Sequence, residues 1–202
     1  MSSTFPGAVG RHSDLQTQMD DLGSIIAGND VLQQVLKDVA RVGLADYYVA
    51  GGCVVQTVWN HQVGNSPMYG ISDIDLVYFD DSDLSAEAEG AVIAQLKATV
   101  DPAVAIDIKN EARVHLWYKD HFGFDIRPYT SVEDAIATWP AAAFCIGIRL
   151  DGQAPRVYAP FGLGDLFGMI VRPNKASIAE DIYAAKAKAW TAKWPSLTVI
   201  PW

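Results

Sequence analysis

Near the start of the chain, apolar residues recur at helical spacing in two stretches. The first stretch, 15–26, predicts a helix, and the second follows Asn29, whose short polar side chain suits an N-cap. Gly43 fits the end of this second helix. Its apolar positions lie one, three or four residues apart: Val31, Leu32, Val35, Leu36, Val39 and Ala40. Two helices are therefore expected before any strand.

Beyond residue 46, short runs rich in aromatic and β-branched residues predict strands. The predicted strands are 47–50, 73–79, 104–109, 122–127, 144–150 and 156–158. The last two form a hairpin around Asp151-Gly152, a dipeptide typical of tight turns. Helical spacing between them predicts helices at 53–60, 86–100, 111–118, 132–138 and 178–194.

Because strands and helices alternate, the fold class is α/β or α+β, with a mixed β-sheet flanked by helices. The strands and helix beyond residue 144 are then C-terminal additions to that sheet. No repeat or linker divides the chain. We therefore expect a flexible N-terminal tail at 1–13 and one domain at 14–202.

The composition of the chain limits the kinds of molecule that it is expected to bind. The chain has 202 residues, half of them hydrophobic, and a net charge of −9 from 24 acidic and 15 basic side chains. This excess of negative charge argues against a long nucleic-acid partner. Two cysteines form neither a disulfide framework nor a zinc cluster, and neither a signal peptide nor a membrane-spanning stretch is recognisable. A cytoplasmic protein without a membrane partner is expected.

The sharpest chemical feature is the acidic pattern of the strand that begins at Asp73. Side chains alternate across a strand, so Asp73 and Asp75 share one face while Ile74 and Leu76 share the other. Two carboxylates on a rigid element suit Mg²⁺, a hard cation that prefers oxygen ligands. Such a triplet is also typical of the solvated face of a half-exposed strand.

A third carboxylate has two candidates. Asp107 lies between two isoleucines on the next predicted strand and reaches the same face if the two strands pair. Asp125 has a similar setting between Phe124 and Ile126. We prefer Asp107 because its strand follows the first acidic strand more closely along the chain.

Gly51-Gly52 ends one predicted strand and opens a helix, where backbone N–H groups and the helix N-terminus can receive phosphate. Glycine permits this because a Cβ would block the approach of a ligand to the main chain. A plain structural turn is the alternative interpretation. Ser72 is open to two interpretations as well, as a phosphate ligand or as a turn residue before a strand.

Phosphate also needs cationic donors. The candidates are Lys109, Arg113, Arg127, Arg172 and Lys175. We favour Arg113 because it follows the Asp107 strand by less than two helical turns. The lysines at 186, 188 and 193 are explained by the preference of a helix C-terminus for cations. The tryptophans at 59, 117, 139, 190 and 194 are interpreted as packing residues and not as a surface for stacking bases.

Taken in order, these motifs resemble the signature of the DNA polymerase β type nucleotidyltransferase superfamily. The matching residues are Ala50-Gly51-Gly52, Asp73-Ile74-Asp75-Leu76 and Ile106-Asp107-Ile108. Most of the chain also resembles an uncharacterised bacterial nucleotidyltransferase-like family. The segments that carry this second resemblance are AGGCVVQTVWN (50–60), SDIDLVYFD (72–80), KNEARVHLWY (109–118), APFGLGDLFG (159–168) and VRPN (171–174).

This resemblance implies a nucleotidyltransferase-like fold and an enzyme. Asp73, Asp75 and Asp107 would be catalytic and would bind Mg²⁺ or Mn²⁺. The four nucleotide-binding residues would be Gly51, Gly52, Ser72 and Arg113. A nucleoside triphosphate would be the donor, a small molecule or a protein the acceptor, and pyrophosphate the leaving group.

Two other functions stay open. One is a catalytically silent module that binds a nucleotide or a partner for regulation. The other is a glycosyltransferase whose acidic triplet binds a metal and a sugar nucleotide, although only 72 residues precede Asp73 here. One feature departs from the superfamily, since Gly52 and Asp73 are 73 − 52 = 21 positions apart. The intervening loop at 64–70 is then either a lid or plain surface.

Overall fold

The computed structural model describes residues 14–152 and 154–202. The predicted tail at 1–13 lies outside the described residues. Two helices come first, α1 (Leu15–Ala27) and α2 (Asp30–Val42). The Asn29 side chain accepts a hydrogen bond from the Leu32 N–H, and Gly43 ends α2 with a left-handed backbone. Both predicted helices are thus confirmed, together with the cap and stop of the second.

A five-stranded sheet forms the centre of the molecule. Its strands lie in the spatial order β3, β2, β1, β4, β5. The strands β2 and β3 run parallel, and the other neighbours run antiparallel, so the sheet is mixed as expected. Their bounds are β1 (Tyr47–Ala50), β2 (Ile74–Tyr78), β3 (Ile106–Asn110), β4 (Gly147–Asp151) and β5 (Ala154–Tyr158).

One face of this sheet builds the main core. Helix α3 (Gly52–Val63) follows β1, and α4 (Ala86–Lys97) provides the crossover between the parallel strands β2 and β3. Both helices pack, with α1 and α2, against the apolar side chains of this face. From β2 and β3 these include Ile74, Leu76 and Ile108, which are all buried. Burial of this face is the main source of stability.

The opposite face is covered only in part. The short helix α6 (Val132–Ile136), capped by the Ser131 hydroxyl, packs on Tyr48, Ala50 and Val77. Along the same strands, Asp75 and Asp107 are partly exposed. The pleat of β2 and β3 thus turns a buried apolar row to one side and a polar row to the other.

The C-terminal segment adds a helix and a small parallel sheet. Its elements are α7 (Gly164–Phe167), β6 (Ile170–Val171), α8 (Glu180–Lys193) and β7 (Thr198–Val199). Trp194, just after α8, is buried, stacks edge-on against Trp59 and donates a hydrogen bond of 2.9 Å to Asn60. The C-terminal helix is therefore fastened to α3.

The loop at 64–70 is fastened as well. The Asn60 amide donates to the carbonyls of Pro67 and Tyr69, and Lys193 on α8 donates to the carbonyl of Gly70. A Cβ at Gly70 would collide with the Trp194 ring at 2.7 Å. These contacts hold the loop against the core, which favours plain surface over a lid.

The predicted strand at 122–127 is wrong. Helix α5 (Tyr118–Phe122) occupies its first residue, and Gly123 then reverses the chain with a positive φ of 84°. The alternating Phe122, Phe124 and Ile126 pack into a small cluster with Tyr118 and Tyr129 instead of pairing with a strand. The helix predicted at 111–118 is a 3₁₀ helix at Glu111–Leu116, followed by α5.

Across the described residues, none of the helices combines the length and the apolar character that a membrane crossing requires.

Candidate functional site

The strand register places two of the predicted carboxylates side by side. In the parallel pair formed by β2 and β3, Asp75 lies opposite Asp107, and on the other side of β2, Asp75 lies opposite Ala50. Asp73 is exposed and lies just before β2. The sheet therefore places Asp75 beside Asp107 and beside the end of the strand that leads into Gly51-Gly52, and Asp73 lies two positions before Asp75 along the chain.

Two of these carboxylates have nearby partners. The Lys109 ammonium makes an ion pair with Asp107 from the next residue on the same face of β3. The Ser72 hydroxyl donates a hydrogen bond of 2.7 Å to Asp73. The Ser72 side chain therefore orients Asp73.

The Asp75 carboxyl is held in an unfavourable place for a lone negative charge. Burial raises its pKa to about 6, and the negative charges of Asp73 and Asp107 add to this rise. The positive charges of Lys109 and Lys186 oppose it without cancelling it. A bound cation would stabilise the ionised form of Asp75.

Lys109 lies between several carboxylates. Its burial disfavours the ammonium, but the hydrogen bond to Asp107 and the charges of Asp107, Asp75 and Glu111 outweigh that penalty and raise its pKa. Lys109 therefore stays charged and serves as a counter-ion for the acidic strands.

The two glycines of Gly51-Gly52 have different surroundings. Gly51 has a φ of 61°, and a Cβ there would lie 2.1 Å from the ring of Trp139. Gly51 is thus required by the backbone conformation and by the close approach of an aromatic ring. At Gly52 a Cβ would meet only the end of the Gln56 side chain at 3.3 Å, and this residue opens the 12-residue helix α3.

A cavity of about 370 Å³ opens over this face of the sheet, and we call it the central cavity. Gly52, Asp73, Asp75, Lys109 and Lys186 lie on its wall. Aromatic side chains form much of the remainder: Trp117, Tyr118, Phe122, Tyr129, Trp139, Phe144 and Trp190. Three of the tryptophans predicted to serve only for packing, at positions 117, 139 and 190, thus border the site, while Trp59 and Trp194 are buried in the core.

A second cavity, of about 470 Å³, adjoins the same acids, and we call it the side cavity. Asp107 lines the side cavity, and Asp73 lines both cavities. Lys97 and Asp101, near the end of α4, supply its other charges. The acidic residues of β2 and β3 and the neighbouring Asp73 thus lie between the central cavity and the side cavity.

Most of the basic residues selected from the sequence lie away from the central cavity. Arg113, the favoured candidate, makes an ion pair with Glu89 and donates to the carbonyl of Leu84. Arg127 pairs with Asp134, and Arg172 pairs with Asp165. The Lys175 ammonium lies over the ring of Trp202. These contacts give the four residues structural roles, and among the candidates Lys109 alone lines the cavity in the described part of the chain.

Asp125, the rival third acid, is exposed, lies outside any helix or strand, and pairs with Lys119 at 2.7 Å. Its expected strand is absent, so the geometry that made it a candidate is absent too.

The sequence missed two charged residues of the central cavity. From the sequence, Lys186 is expected near the C-terminal end of its helix, but it lies seven positions before the last residue of α8, Lys193. That spacing was the available signal, because the effect of the helix dipole falls off within the last turn. Glu111 is 4% exposed, and burial raises its pKa to about 8. No sequence pattern distinguished it from a surface acid at a helix start.

The residues fit a divalent cation by their chemistry. Within the described ranges, no group of three or more His, Cys, Asp or Glu side chains converges as a ready metal cage. Mg²⁺, however, is commonly held by one or two carboxylates and completes its shell with water and substrate phosphates. The adjacent Asp75 and Asp107, with the charge repulsion at Asp75, meet that requirement.

Comparison with known proteins gives two matches. A family described as Nucleotidyltransferase matches residues 37–199. A solved structure, described as an NMR structure that reveals a CCA-adding enzyme head domain, is similar with a TM-score of 0.75 and 25% sequence identity. The similarity covers 91% of this chain and 96% of that one. No curated protein matches.

Proposed function

The chain belongs to a nucleotidyltransferase family, and from that starting point we propose that it is a metal-dependent enzyme with a nucleoside triphosphate as donor. The nucleotidyl group passes to a small-molecule or protein acceptor, and pyrophosphate leaves. The observation that carries this proposal is the pairing, across parallel strands, of Asp75 on the wall of the central cavity with Asp107 on the wall of the side cavity.

In this proposal, Asp75 and Asp107 hold the divalent cation, with Asp73 as the third acid. The cation, Mg²⁺ or Mn²⁺, would supply charge neutralisation for the phosphates and would orient them for in-line attack. The sheet holds the two carboxylates in register, so little reorganisation is needed before the substrate binds. Lys109, already beside Asp107, balances the remaining negative charge.

Gly52 and the start of α3 provide a place for the phosphates. The first N–H groups of a helix lack partners within the helix and favour an anion. Gly52 opens a helix of 12 residues, lines the central cavity, and follows the strand that lies beside Asp75. A side chain at this position would come between the ligand and the main chain.

The side cavity is suited to the acceptor. Transfer of a nucleotidyl group needs two substrates that meet at one phosphorus atom, and Asp73 lines both cavities. The side cavity has a volume of about 470 Å³, which matches a small molecule or a single side chain of a protein. With a net charge of −9, the chain is a poor match for a long polynucleotide.

The proposal is tested with the full chain, Mg²⁺ and each of the four nucleoside triphosphates, with binding measured by calorimetry. We expect Asp75→Asn to abolish metal-dependent binding, because the variant removes a charged ligand. Asp81→Asn, an exposed acid three residues beyond β2, is the matched control and should leave binding unchanged.

Pyrophosphate release in the presence of candidate acceptors then separates the alternatives. Release that depends on Asp75 supports the transferase. Tight binding without release under any of these conditions would favour the silent regulatory module. Equal binding by Asp75→Asn and by the parent protein would place the site elsewhere.

A further inference from the structure

The C-terminal helix α8 brings one lysine to the wall of the central cavity. Lys186 is exposed, and together with Trp190, four positions later on the same helix face, it lines that cavity. Ala187 and Tyr183 of α8 are buried, and Trp190 stacks on Phe144 with ring centroids 4.1 Å apart. The packing of these residues fixes which face of the helix turns toward the acidic strands.

The Lys186 ammonium has no hydrogen bond or ion pair to any described residue. Its charge nevertheless acts on Asp75, which places it within electrostatic range of the carboxylates. A lysine ammonium has three donors, and one that extends into a cavity without a fixed partner is free to bind an anion there.

The balance of charges in the central cavity indicates a role for Lys186. Asp73 and Asp75 bring negative charge to the central cavity, and of the described basic residues only Lys109 and Lys186 line it. Lys109 is already paired with Asp107. A triphosphate tail brings several more negative charges. The three arginines considered as its donors are already paired with Glu89, Asp134 and Asp165.

We propose that Lys186, on the wall of the central cavity, binds the terminal phosphates of the donor nucleotide. This inference rests on the proposed function, because it assumes that a nucleoside triphosphate enters the central cavity. It assigns the recognition of the leaving pyrophosphate group to the C-terminal helix, whereas the nucleotidyl group that is transferred lies at the carboxylates.

The test compares Lys186→Met with Lys188→Met in the full chain. Lys188 lies two positions along the same helix and lines a different surface hollow near Trp202, so it controls for the loss of one charge. A charge-assisted hydrogen bond contributes about 1.5 to 3 kcal/mol, which converts to roughly a 10- to 150-fold loss of affinity. We expect this loss for ATP with Mg²⁺ in Lys186→Met and less than a twofold change in Lys188→Met.

Two further measurements exclude a merely structural effect. Binding of AMP, which lacks the terminal phosphates, should be unchanged by Lys186→Met. Lys186→Arg, which keeps the charge, should restore ATP affinity to within about threefold of the parent.

The inference is overturned if Lys186→Met binds ATP as tightly as Lys188→Met does, or if AMP affinity falls as much as ATP affinity. Inorganic tripolyphosphate with Mg²⁺ is the probe that separates this failure from failure of the proposed function. If the parent protein binds neither ATP nor tripolyphosphate, the proposed function itself fails. If the parent binds ATP and Lys186→Met does so equally well, only the role of Lys186 fails.

Discussion

The two faces of β2 and β3 use the same backbone for opposite purposes. On one face, Leu76 and Ile108 are buried against α3 and α4 and stabilise the fold. On the other face, Asp75 and Asp107 lie side by side, where burial and like charge raise the Asp75 pKa. Packing of the apolar face holds the acids in position. The repulsion between the acids on the other face lowers the free energy of unfolding.

This contrast shows how a strongly unfavourable charge arrangement persists in a folded chain. A rigid strand pair cannot let one residue move without moving its neighbours on the other face. The core therefore fixes the distance between the two carboxylates. The unfavourable free energy of holding them together is offset by the packing of the whole sheet.

The largest expected effect lies on the apolar face. Leu76→Ala removes a side chain with no exposed surface and leaves a cavity, so the free energy of unfolding should fall by about 3 to 5 kcal/mol in urea titrations. Under conditions where the variant is still folded, its nucleotide affinity should stay within about twofold of the parent. A large loss of affinity would mean that the two faces are not separable.

The two glycines sharpen the contrast at the start of α3. Gly51→Ala places a Cβ against Trp139 at a positive φ, and we expect a loss of about 2 to 4 kcal/mol in unfolding free energy. Gly52→Ala meets only the flexible end of Gln56 and should change stability by less than about 1 kcal/mol. For nucleotide affinity we expect the opposite order, with a larger loss in Gly52→Ala than in Gly51→Ala. Equal thermal stability of the two variants would contradict this assignment.

Glu111 extends the contrast to pH. Its pKa is raised from 4.5 to about 8 by burial, so between these values the unfolded chain is ionised while the folded chain retains a proton. The contribution of Glu111 to the free energy of unfolding is fully present below pH 4.5. It is lost as the pH rises toward 8, by an amount on the order of a few kcal/mol. Glu111→Gln removes this dependence.

The measurement is the difference in unfolding free energy between the parent and Glu111→Gln at pH 5 and at pH 8. We expect the variant to gain stability relative to the parent as the pH rises. Glu87→Gln, at an exposed glutamate in the first turn of α4, is the control for the loss of one carboxyl group. Parallel curves for the parent and Glu111→Gln would show that Glu111 titrates normally.

The smallest effect concerns the two rival acids. Asp125→Asn should change unfolding free energy by less than about 0.5 kcal/mol and leave metal-dependent binding intact, because its ion pair with Lys119 is exposed. Asp107→Asn should weaken that binding strongly, since its carboxylate lies beside Asp75. Calorimetry on both variants decides between them, and equal tolerance would reduce the site to Asp73 and Asp75.

Much of the fold was predictable because the segments involved have local signals. Aromatic and β-branched residues predicted β1, alternation of apolar and acidic residues predicted β2 and β3, and Asn29 and Gly43 marked both ends of α2. The strand predicted at 122–127 failed because its alternating apolar residues find partners within one small aromatic cluster. An alternating pattern indicates that every second side chain is buried, but it does not indicate whether a neighbouring strand or a loop cluster buries it.

The site was predictable only as far as single strands define it. Asp73 and Asp75 could be placed on one face from their spacing, but the choice between Asp107 and Asp125 depended on which segment pairs with β2. Lys186 needed the docking of α8 onto a distant part of the chain, and the ion pair that occupies Arg113 needed the position of Glu89. Long-range packing of this kind leaves no periodic trace in the sequence.

The bond between Trp194 and Asn60 joins residues 134 positions apart. Closing a loop of that length costs more entropy than closing a short one, and contacts between distant segments slow the folding of a chain. The pairing of β2 with β3 joins residues 32 positions apart and needs a much shorter closure. We therefore expect a refolding chain to bring Asp75 and Asp107 together first and to acquire the face of α8 that carries Lys186 afterwards.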